Sequence, residues 1–243
     1  MPDAIFANPQ LVAVYDAFDG DRDDLEAYRA IAEEFSARTV IDLGCGTGVF
    51  ARTLAAAGLR VIGIDPAQAS IDFAEAAAAS ASADVDFRRG TSADIPSVDA
   101  DLVTMTGNVA QVFLGLDELR GVFADCARGL RPGGHLVFES RIPEVRPWTD
   151  WAGRAPRTLT VEGIGEVTET FVLGQIDLPF VAFTHLYRFA DTGDTIGSQS
   201  RLRFHEKAEI TSALEQTGFT VREVRDAPDR TGKEWVFIAE KLQ

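Results

Sequence analysis

Short apolar runs alternate with amphipathic segments of helical length from residue 39 to residue 141. The apolar runs that predict strands lie at 40–43, 60–64, 85–87, 101–106 and 135–140. The segments that predict helices lie between them, at 49–57, 68–79 and 116–130. Strands joined by helices of this length favour right-handed crossovers and a parallel sheet that is covered on both faces. The pattern therefore predicts a doubly wound α/β core.

From residue 158 onward the period changes to two, with apolar and polar positions alternating. The runs that predict consecutive antiparallel strands lie at 158–163, 166–174, 180–190 and 195–204, with a turn at 191–194. In the third run, one face carries Val181, Phe183, His185, Tyr187 and Phe189. This face is predicted either to line a pocket or to pack on the core.

The same patterns divide the chain into four segments. Helices predicted at 9–18 and 23–35 make residues 1–38 a helical cap, and residues 39–141 form the α/β core. Residues 142–205 form an antiparallel β insertion. Residues 206–243 return to the core with a helix at 206–217 and strands at 219–224 and 234–239.

The strongest chemical signal is the segment 40–50, VIDLGCGTGVF, in which a strand runs into a glycine-rich turn that opens a helix. Glycines let a ligand approach the backbone closely, and the free N–H groups at a helix start lie beside it. Asp65 follows Gly44 by twenty-one residues, at the end of the second strand. A carboxylate at that position can accept hydrogen bonds from both hydroxyls of a ribose, which predicts a nucleoside-containing cofactor.

The glycine spacing separates two classes of nucleoside cofactor. A dinucleotide fingerprint that begins at Gly44 needs its third glycine where the chain has Val49. The arrangement Asp42-x-Gly44-x-Gly46-x-Gly48 resembles motif I of the class I S-adenosylmethionine-dependent methyltransferases, and Asp65 resembles their ribose-binding acid. The resemblance covers 40–140 and the closing elements. It implies a seven-stranded, mostly parallel Rossmann-like sheet, with the antiparallel insertion between strand 5 and the last helix, and S-adenosylmethionine as cofactor.

Three further segments resemble the same family. The segment 87–96 is similar to the one that flanks the adenine; it has Thr91 where an aspartate is common, so a backbone contact at Ser92 is expected. The segment 101–108 is similar to the fourth strand and the loop that meets the methionine end of the cofactor, and 130–139 is similar to the turn into strand 5. The cofactor-binding residues that the resemblance implies are Tyr15, Asp42, Gly44, Cys45, Gly46, Asp65, Pro66, Thr91, Ser92, Ala93 and Thr106.

Several of these residues also have a structural interpretation. Asp65 before Pro66 fits a helix N-cap, and Asp42 fits a strand-end aspartate that hydrogen-bonds the glycine turn. Cys45 is predicted to fill space under the turn rather than act as a nucleophile, because no histidine is placed to activate it. Tyr15 resembles a tyrosine that related small-molecule methyltransferases fold over the cofactor, or else packs on the core.

The candidates for acceptor chemistry lie mostly on the insertion. His185 and Tyr187 are the predicted catalytic residues, as a general base, with His205 a weaker candidate. Glu139 and Arg141 end the fifth strand at the carboxyl edge of the sheet, where open α/β folds bind ligands. Two tryptophans, Trp148 and Trp151, are predicted either to form a lid or to pack on the added sheet.

Composition narrows the partners. The 243 residues carry a net charge of −15, which opposes nucleic acid binding. Cys45 and Cys126 form neither a disulfide framework nor a metal-ligand cluster, so no metal is predicted. No stretch reaches the roughly 20 apolar residues of a membrane span, and the first residues lack a basic-then-apolar leader. These features predict a cytoplasmic protein without membrane contact.

Together the residues and the resemblance predict an S-adenosylmethionine-dependent methyltransferase that transfers a methyl group to an oxygen or nitrogen atom of a small molecule by in-line displacement. The insertion is predicted to cover the acceptor, or to offer a sheet edge for a homodimer. Two alternatives stay open. One is a non-catalytic S-adenosylmethionine-binding or regulatory protein. The other is an NAD(P)-dependent oxidoreductase, which Val49 and the lack of a Tyr-x-x-x-Lys pair disfavour.

Overall fold

Two sheets and eight α-helices make up the computed structural model, which describes residues 1–243. The helices are α1 (Ala4–Ala7), α2 (Pro9–Asp19), α3 (Asp24–Glu34), α4 (Val49–Ala56), α5 (Gln68–Ala81), α6 (Leu116–Gly129), α7 (Trp148–Trp151) and α8 (Lys207–Gln216). The strands are β1 (Thr39–Leu43), β2 (Arg60–Asp65), β3 (Val85–Arg89), β4 (Ala100–Met105), β5 (Leu130–Arg141), β6 (Arg157–Val161), β7 (Gly165–Asp177), β8 (Phe180–Phe189), β9 (Thr195–Arg203), β10 (Phe219–Asp226) and β11 (Glu234–Lys241).

The larger sheet has seven strands in the order β10-β11-β5-β4-β1-β2-β3. β1 to β5 are parallel, and β11 runs antiparallel to both of its neighbours, β5 and β10. The predicted α/β fold, a doubly wound and mostly parallel Rossmann-like sheet, is confirmed. β1 pairs with β2 on one side and with β4 on the other, so the strand order reverses there. Open α/β sheets bind ligands at the carboxyl edge beside this reversal.

Apolar layers cover both faces of this sheet. Along β1, Ile41 packs with the side chains of α6 and α8, whereas its neighbour Val40 packs with those of α3 and α4. The same split separates Val103 from Leu102 in β4. Side chains of successive strand residues point to opposite faces, so a strand covered on both faces is apolar throughout. The continuous apolar runs of the sequence therefore reflect burial on both sides.

The second sheet is the predicted insertion, and its four strands run antiparallel in the order β6-β7-β8-β9. It lies between β5 and α8 in the chain. α1 and α2 pack on one of its faces, where Phe18 meets the Tyr187 ring edge-on at 5.3 Å between centroids. The backbone N–H of Ile5 donates to Ser198 Oγ at 2.8 Å. The N-terminal helices thus join the insertion to the core.

The helices α1 and α2 also contact the α/β core directly. Thr47, in the glycine turn, donates its hydroxyl to Asp16 Oδ1 of α2 at 2.6 Å. Ser70, at the start of α5, donates to the carbonyl of Phe6 at 2.8 Å. These bonds place the N-terminal helices over the carboxyl edge of β1 and β2.

The chain departs from the predicted elements at several of their ends, for example at the end of β7, which extends to Asp177. α1 has only four residues, too few for a periodic signal. β5 begins at Leu130, so the segment 130–134 predicted as a turn is part of the strand. α5 begins at Gln68 and extends to Ala81. No helix has the length and apolar character that a bilayer crossing requires.

Candidate active site

The glycine turn connects β1 to α4 with three residues in the left-handed region. Gly44, Gly46 and Gly48 have φ values of 76°, 53° and 76°. A Cβ on Gly44 would lie 2.6 Å from the Val109 side chain, so a larger residue is excluded there. A Cβ on Gly46 would meet nothing within 4 Å. The backbone at Gly46 is therefore open to a ligand, and the loop that carries Val109 holds the other end of the turn.

Asp65 ends β2 beside this turn and is 7% exposed. Its Oδ2 accepts the N–H of Gly46 at 3.0 Å, and its Oδ1 accepts the N–H of Ala67 at 2.8 Å. Burial raises the pKa of the carboxyl, and the two N–H donors partly offset that rise. The N-cap of α5 is Ala67, so the N-cap interpretation of Asp65 before Pro66 is wrong by two residues. Each carboxylate oxygen keeps a second lone pair for a ligand hydroxyl.

Asp42 lies one strand away, in the middle of the sheet, and is 1% exposed. Thr104 of β4 donates its hydroxyl to Asp42 Oδ1 at 2.9 Å, whereas Asp42 Oδ2 has no hydrogen-bond partner. Asp42 thus bonds β4 and not the glycine turn, which corrects that structural interpretation. Burial raises the pKa of Asp42 to about 7. A buried carboxylate oxygen without a partner is costly, which favours a ligand that supplies one.

The remaining cofactor candidates line the same edge of the sheet with less definite contacts. The Thr91 hydroxyl and N–H both donate to Asp94, and Ser92 Oγ donates to Asp125 at 2.7 Å. The Thr91 side chain is therefore engaged locally. Ala93 is exposed beside them, and Thr106 follows β4 directly and is half-buried.

Cys45 behaves as the sequence predicts. A Cβ on Gly63 would lie 3.1 Å from its Sγ, so the thiol packs over the backbone of β2. Burial raises the pKa of the Cys45 thiol well above its usual range. A protonated thiol is a poor nucleophile, and the side chain fills space under the turn.

Two adjoining cavities lie between the carboxyl edge of the core and the inserted sheet. The larger, of about 460 Å³, is lined by Tyr15 of α2, by Gly107 and Asn108 after β4, and by His185 and Tyr187 of β8. The second has a volume of about 390 Å³. The residues that line both are Arg141, Arg154, Phe171, Phe183, His185 and Leu202. The glycine turn and Asp65 line neither cavity, whereas Tyr15, another predicted cofactor residue, lines the larger one.

His185 lines both cavities and has a carboxylate partner within 3 Å. Its Nδ1 lies 2.6 Å from Glu169 Oε1, and its Nε2 has no partner within the chain. Burial acts to raise the pKa of Glu169. The hydrogen bond and charge of His185 and the charge of Arg157 outweigh burial and hold that pKa below its ordinary value. The carboxylate is therefore ionised and orients the ring with Nδ1 protonated, leaving Nε2 as the basic atom.

The other two candidates for a base differ from His185. Tyr187 is 3% exposed, and burial followed by the charge of Glu169 raises its pKa, so it retains its proton. Its hydroxyl lies 3.5 Å from Glu169 Oε1. His205 is fully buried, with Nε2 at 3.2 Å from the carbonyl of Phe113, and burial lowers its pKa to about 4. It lines neither cavity, so the structure does not bring His205 to the site.

Glu139 and Arg141 end β5, but only one of them reaches a cavity. Glu139 is 3% exposed and accepts the N–H of Asn108, and burial raises its pKa to about 7. Arg141 lines both cavities and donates to Gln111 Oε1 at 3.0 Å. Glu139 therefore supports the loop after β4 and is not placed to contact an acceptor.

The tryptophans pack on the added sheet, as one of the two interpretations predicts. Trp148 is 4% exposed and meets the Phe204 ring at 4.8 Å between centroids. Trp151 meets the rings of Phe171 and Phe183 at 6.2 and 5.7 Å. Both tryptophans thus pack on the inserted segment in this structure.

Sequence reasoning missed Glu169, Arg154 and Asp16. Glu169 occupies an inward position in the alternating pattern of β7 and pairs directly with Tyr187. That alternation is a signal, but which β8 residue lies opposite depends on the hairpin register. Arg154 lies in a loop without periodicity. The structure contains no group of three or more His, Cys, Asp or Glu residues that could hold a metal ion.

Comparison with known proteins relates this edge of the sheet to a known family. Residues 40–134, which run from β1 through the glycine turn to the start of β5, match a family model described as a methyltransferase domain. Residues 40–134 are thus similar to a methyltransferase domain. The resemblance to class I S-adenosylmethionine-dependent methyltransferases is thereby confirmed, and with it S-adenosylmethionine as the cofactor of this family.

Two curated relatives match less than half of this chain. A cypemycin N-terminal methyltransferase from Streptomyces sp is 36% identical over 107 residues, which cover 44% of this chain and 43% of the relative. A ubiquinone biosynthesis O-methyltransferase from Hahella chejuensis is 31% identical over 106 residues, which cover 42% of this chain and 43% of the relative. The matches thus span less than half of each relative.

Among solved structures, the likeness extends over nearly the whole chain. The S-adenosylmethionine-bound CalS10, an amino pentose methyltransferase from Micromonospora echinaspora, aligns with a TM-score of 0.71 and 20% identity. The alignment covers 93% of this chain and 95% of that one. At this identity the likeness shows the fold, including elements beyond the methyltransferase domain.

Proposed function

We propose that the protein transfers a methyl group from S-adenosylmethionine to an oxygen or nitrogen atom of a small molecule. The observation that carries the proposal is the position of His185, oriented by Glu169 in a cavity that adjoins the carboxyl edge of the methyltransferase domain. The relatives comprise an N-terminal methyltransferase and O-methyltransferases, which agrees with an acceptor atom of either kind.

The residues at the sheet edge fit the cofactor on three observations. Asp42 Oδ2 is buried without a partner, the backbone at Gly46 faces open space, and Asp65 presents a carboxylate beside it. In this proposal Asp65 binds the ribose hydroxyls. The backbone of the glycine turn contacts the cofactor closely. Ser92 contributes backbone contacts to the adenine, and Thr106 contacts the methionine end.

Bound S-adenosylmethionine supplies an electrophilic methyl group on a sulfonium, so the chain has chiefly to position the acceptor and remove its proton. His185 Nε2 accepts the proton of an acceptor hydroxyl or ammonium. Glu169 then stabilises the imidazolium through Nδ1. General base catalysis of this kind contributes about 10²- to 10⁴-fold. A neutral amine acceptor needs no base, and His185 then only orients it.

Three aromatic rings pack against the His185 ring. Phe171 and Phe183 meet the His185 ring edge-on, at 5.1 and 5.5 Å between centroids. Tyr187 stacks on its other side at 6.1 Å and holds its proton. These rings contact the imidazole, whose side chain stays 24% exposed and lines both cavities.

Titration calorimetry and turnover test the proposal. S-adenosylmethionine is expected to bind with micromolar affinity and NADH not to bind; the reverse would favour the oxidoreductase. Release of S-adenosylhomocysteine in the presence of a library of phenols, carboxylic acids and amines would support the enzyme. Tight cofactor binding without turnover across that library would favour the regulatory alternative. A cytoplasmic location and a homodimer through the inserted sheet stay predictions, for which fractionation and light scattering are the tests.

His185→Asn is the matched variant for the base. The amide keeps a hydrogen bond to Glu169 but cannot take up a proton. Turnover of an alcohol or phenol acceptor is expected to fall about 100-fold, with unchanged affinity for S-adenosylmethionine. Normal turnover with such an acceptor would remove His185 as the base.

A further inference from the structure

The second cavity carries an excess of positive charge. We call it the basic lobe; its cationic lining residues are Arg141, Arg154, Arg230 and Lys233, against two carboxylates, Asp150 and Glu234. The chain as a whole has a net charge of −15, with 38 acidic residues against 23 Lys and Arg. Salt screens electrostatic fields beyond about 10 Å. A ligand in the basic lobe therefore meets the local positive charge and not the negative net charge of the whole chain, which favours an anion.

The two carboxylates of the basic lobe are already paired. Glu234 Oε1 accepts from Arg230 at 2.8 Å and lies 3.4 Å from Arg141 Nε. Asp150 accepts from Lys233 Nζ at 2.8 Å. Arg154 has no carboxylate partner and no hydrogen bond within the chain, and its guanidinium lies over the Phe171 ring at 5.6 Å. One arginine therefore faces the cavity with its donors free.

Arg141 presents a second cationic group to the same space. Its Nη1 donates to Gln111, and the guanidinium lies over the Trp151 ring at 5.3 Å. Burial lowers the pKa of Arg141, and Glu234 partly compensates. An arginine in this environment gains from an anion, because the charge is otherwise incompletely neutralised after leaving water.

An aromatic wall connects the basic lobe to the base. The Phe171 and Phe183 rings stack at 5.4 Å between centroids with an interplanar angle of 29°, and Trp151 meets Phe183 edge-on at 5.7 Å. Phe171 also contacts His185. Flat rings packed along one side of a cavity bind a flat apolar body. The wall thus lies between the free arginine and the atom that takes up the proton.

We propose that the methyl acceptor is a flat, predominantly apolar molecule that carries an oxyanion, an inference that rests on the proposed function. Its carboxylate or phosphate group binds Arg154 and Arg141 in the basic lobe, and its ring lies against Trp151, Phe171 and Phe183. The nucleophilic oxygen or nitrogen then lies at His185 Nε2. The anion fixes the orientation of the acceptor, and an arginine fork suits both oxyanions.

Calorimetry on the full chain saturated with S-adenosylhomocysteine tests this assignment with two matched pairs of probes: phenyl phosphate against phenol, and benzoate against benzyl alcohol. Each anion is expected to bind at least about 10-fold more tightly than its neutral partner. The stronger of the two anions identifies phosphate or carboxylate as the preferred group. Equal binding of anion and neutral partner in both pairs, or no binding by any of the four probes, would overturn the proposal.

Arg154→Gln locates the anion. Affinity for the anionic probes is expected to fall about 3- to 10-fold while affinity for any neutral probe that binds is unchanged. Arg88→Gln is the control, because Arg88 lies on β3 in an exposed pair with Asp86, away from both cavities. Unchanged anion affinity in Arg154→Gln would refute the assignment.

The same titrations separate this proposal from the proposed function. S-adenosylhomocysteine binding is measured first, on the same protein. Cofactor binding with no preference for anions defeats the basic lobe alone. Arg154-dependent binding of phenyl phosphate without any cofactor binding defeats the methyltransferase proposal and leaves the anion site in place.

Discussion

Replacing Asp42 with asparagine removes a buried charge while it keeps the shape of the side chain. Asp42 is 1% exposed, and one of its carboxylate oxygens has no partner. Burial raises its pKa from 3.8 to about 7. Between these two values the folded chain holds a proton that the unfolded chain has lost. Stability therefore falls as the pH rises through this window, and the whole cost is present above the folded pKa.

The size of the effect follows from the shift. A difference of about 3 pKa units corresponds to about 4 kcal/mol of unfolding free energy at pH 8, at about 1.4 kcal/mol per unit. Asparagine resembles the protonated acid, since its Oδ1 can still accept from Thr104 and its amide N–H₂, like the acid O–H, lacks an acceptor. Asp42→Asn is therefore expected to match the parent at pH 4 and to exceed it by up to about 4 kcal/mol at pH 8.

Urea unfolding of the cofactor-free protein at half-unit steps from pH 4 to pH 8 measures the difference. Asp84→Asn, at an exposed carboxylate, is the control and is expected to leave the profile of the parent unchanged. A gain that is constant across the pH range, or a loss at pH 8, would refute the assignment of the raised pKa to Asp42.

Three further substitutions test the site. Glu169→Gln removes the charge that stabilises the imidazolium. It should lower turnover of a hydroxyl acceptor by about 10- to 100-fold and leave cofactor affinity intact. Turnover equal to that of the parent at all pH values would contradict this. Gly44→Ala should cost about 2 kcal/mol more in thermal unfolding than Gly20→Ala, because both glycines have positive φ but only Gly44 faces Val109; equal costs would contradict the contact. Asp65→Asn should weaken S-adenosylmethionine binding by about 10-fold or more in calorimetry through loss of charged hydrogen bonds, and unchanged affinity would remove it from the site.

The core was predictable from the sequence because its strands are covered on both faces. Val40 and Ile41 belong to opposite layers, so the run stays apolar and its bounds are clear. The glycine turn was equally clear, because only a residue without Cβ fits beside Val109. The segment from Leu130 was predicted as a turn on account of Pro132 and its glycines, yet it extends β5 because it lies at the end of the strand.

The acceptor side was predictable only in part. The alternation in β8 placed His185 and Tyr187 on one face, which the structure confirms. The partner Glu169 was not predictable, because its position opposite Tyr187 depends on a register shift between Leu173 and Ile176. The basic lobe joins Arg154 and Lys233, from two loops far apart in the chain, and no local pattern relates them.

Gln111, in the short turn after β4, touches the inserted segment at both of its ends. Its side-chain carbonyl accepts from Arg141, where the chain leaves the large sheet, and its amide donates to the carbonyl of Arg203, where the chain returns. The inserted segment thus begins and ends beside the same residue of the α/β core. Because these two hydrogen bonds fix both ends of the insertion, we expect changes in the length or sequence of the intervening hairpins to leave β4 and β5 in place.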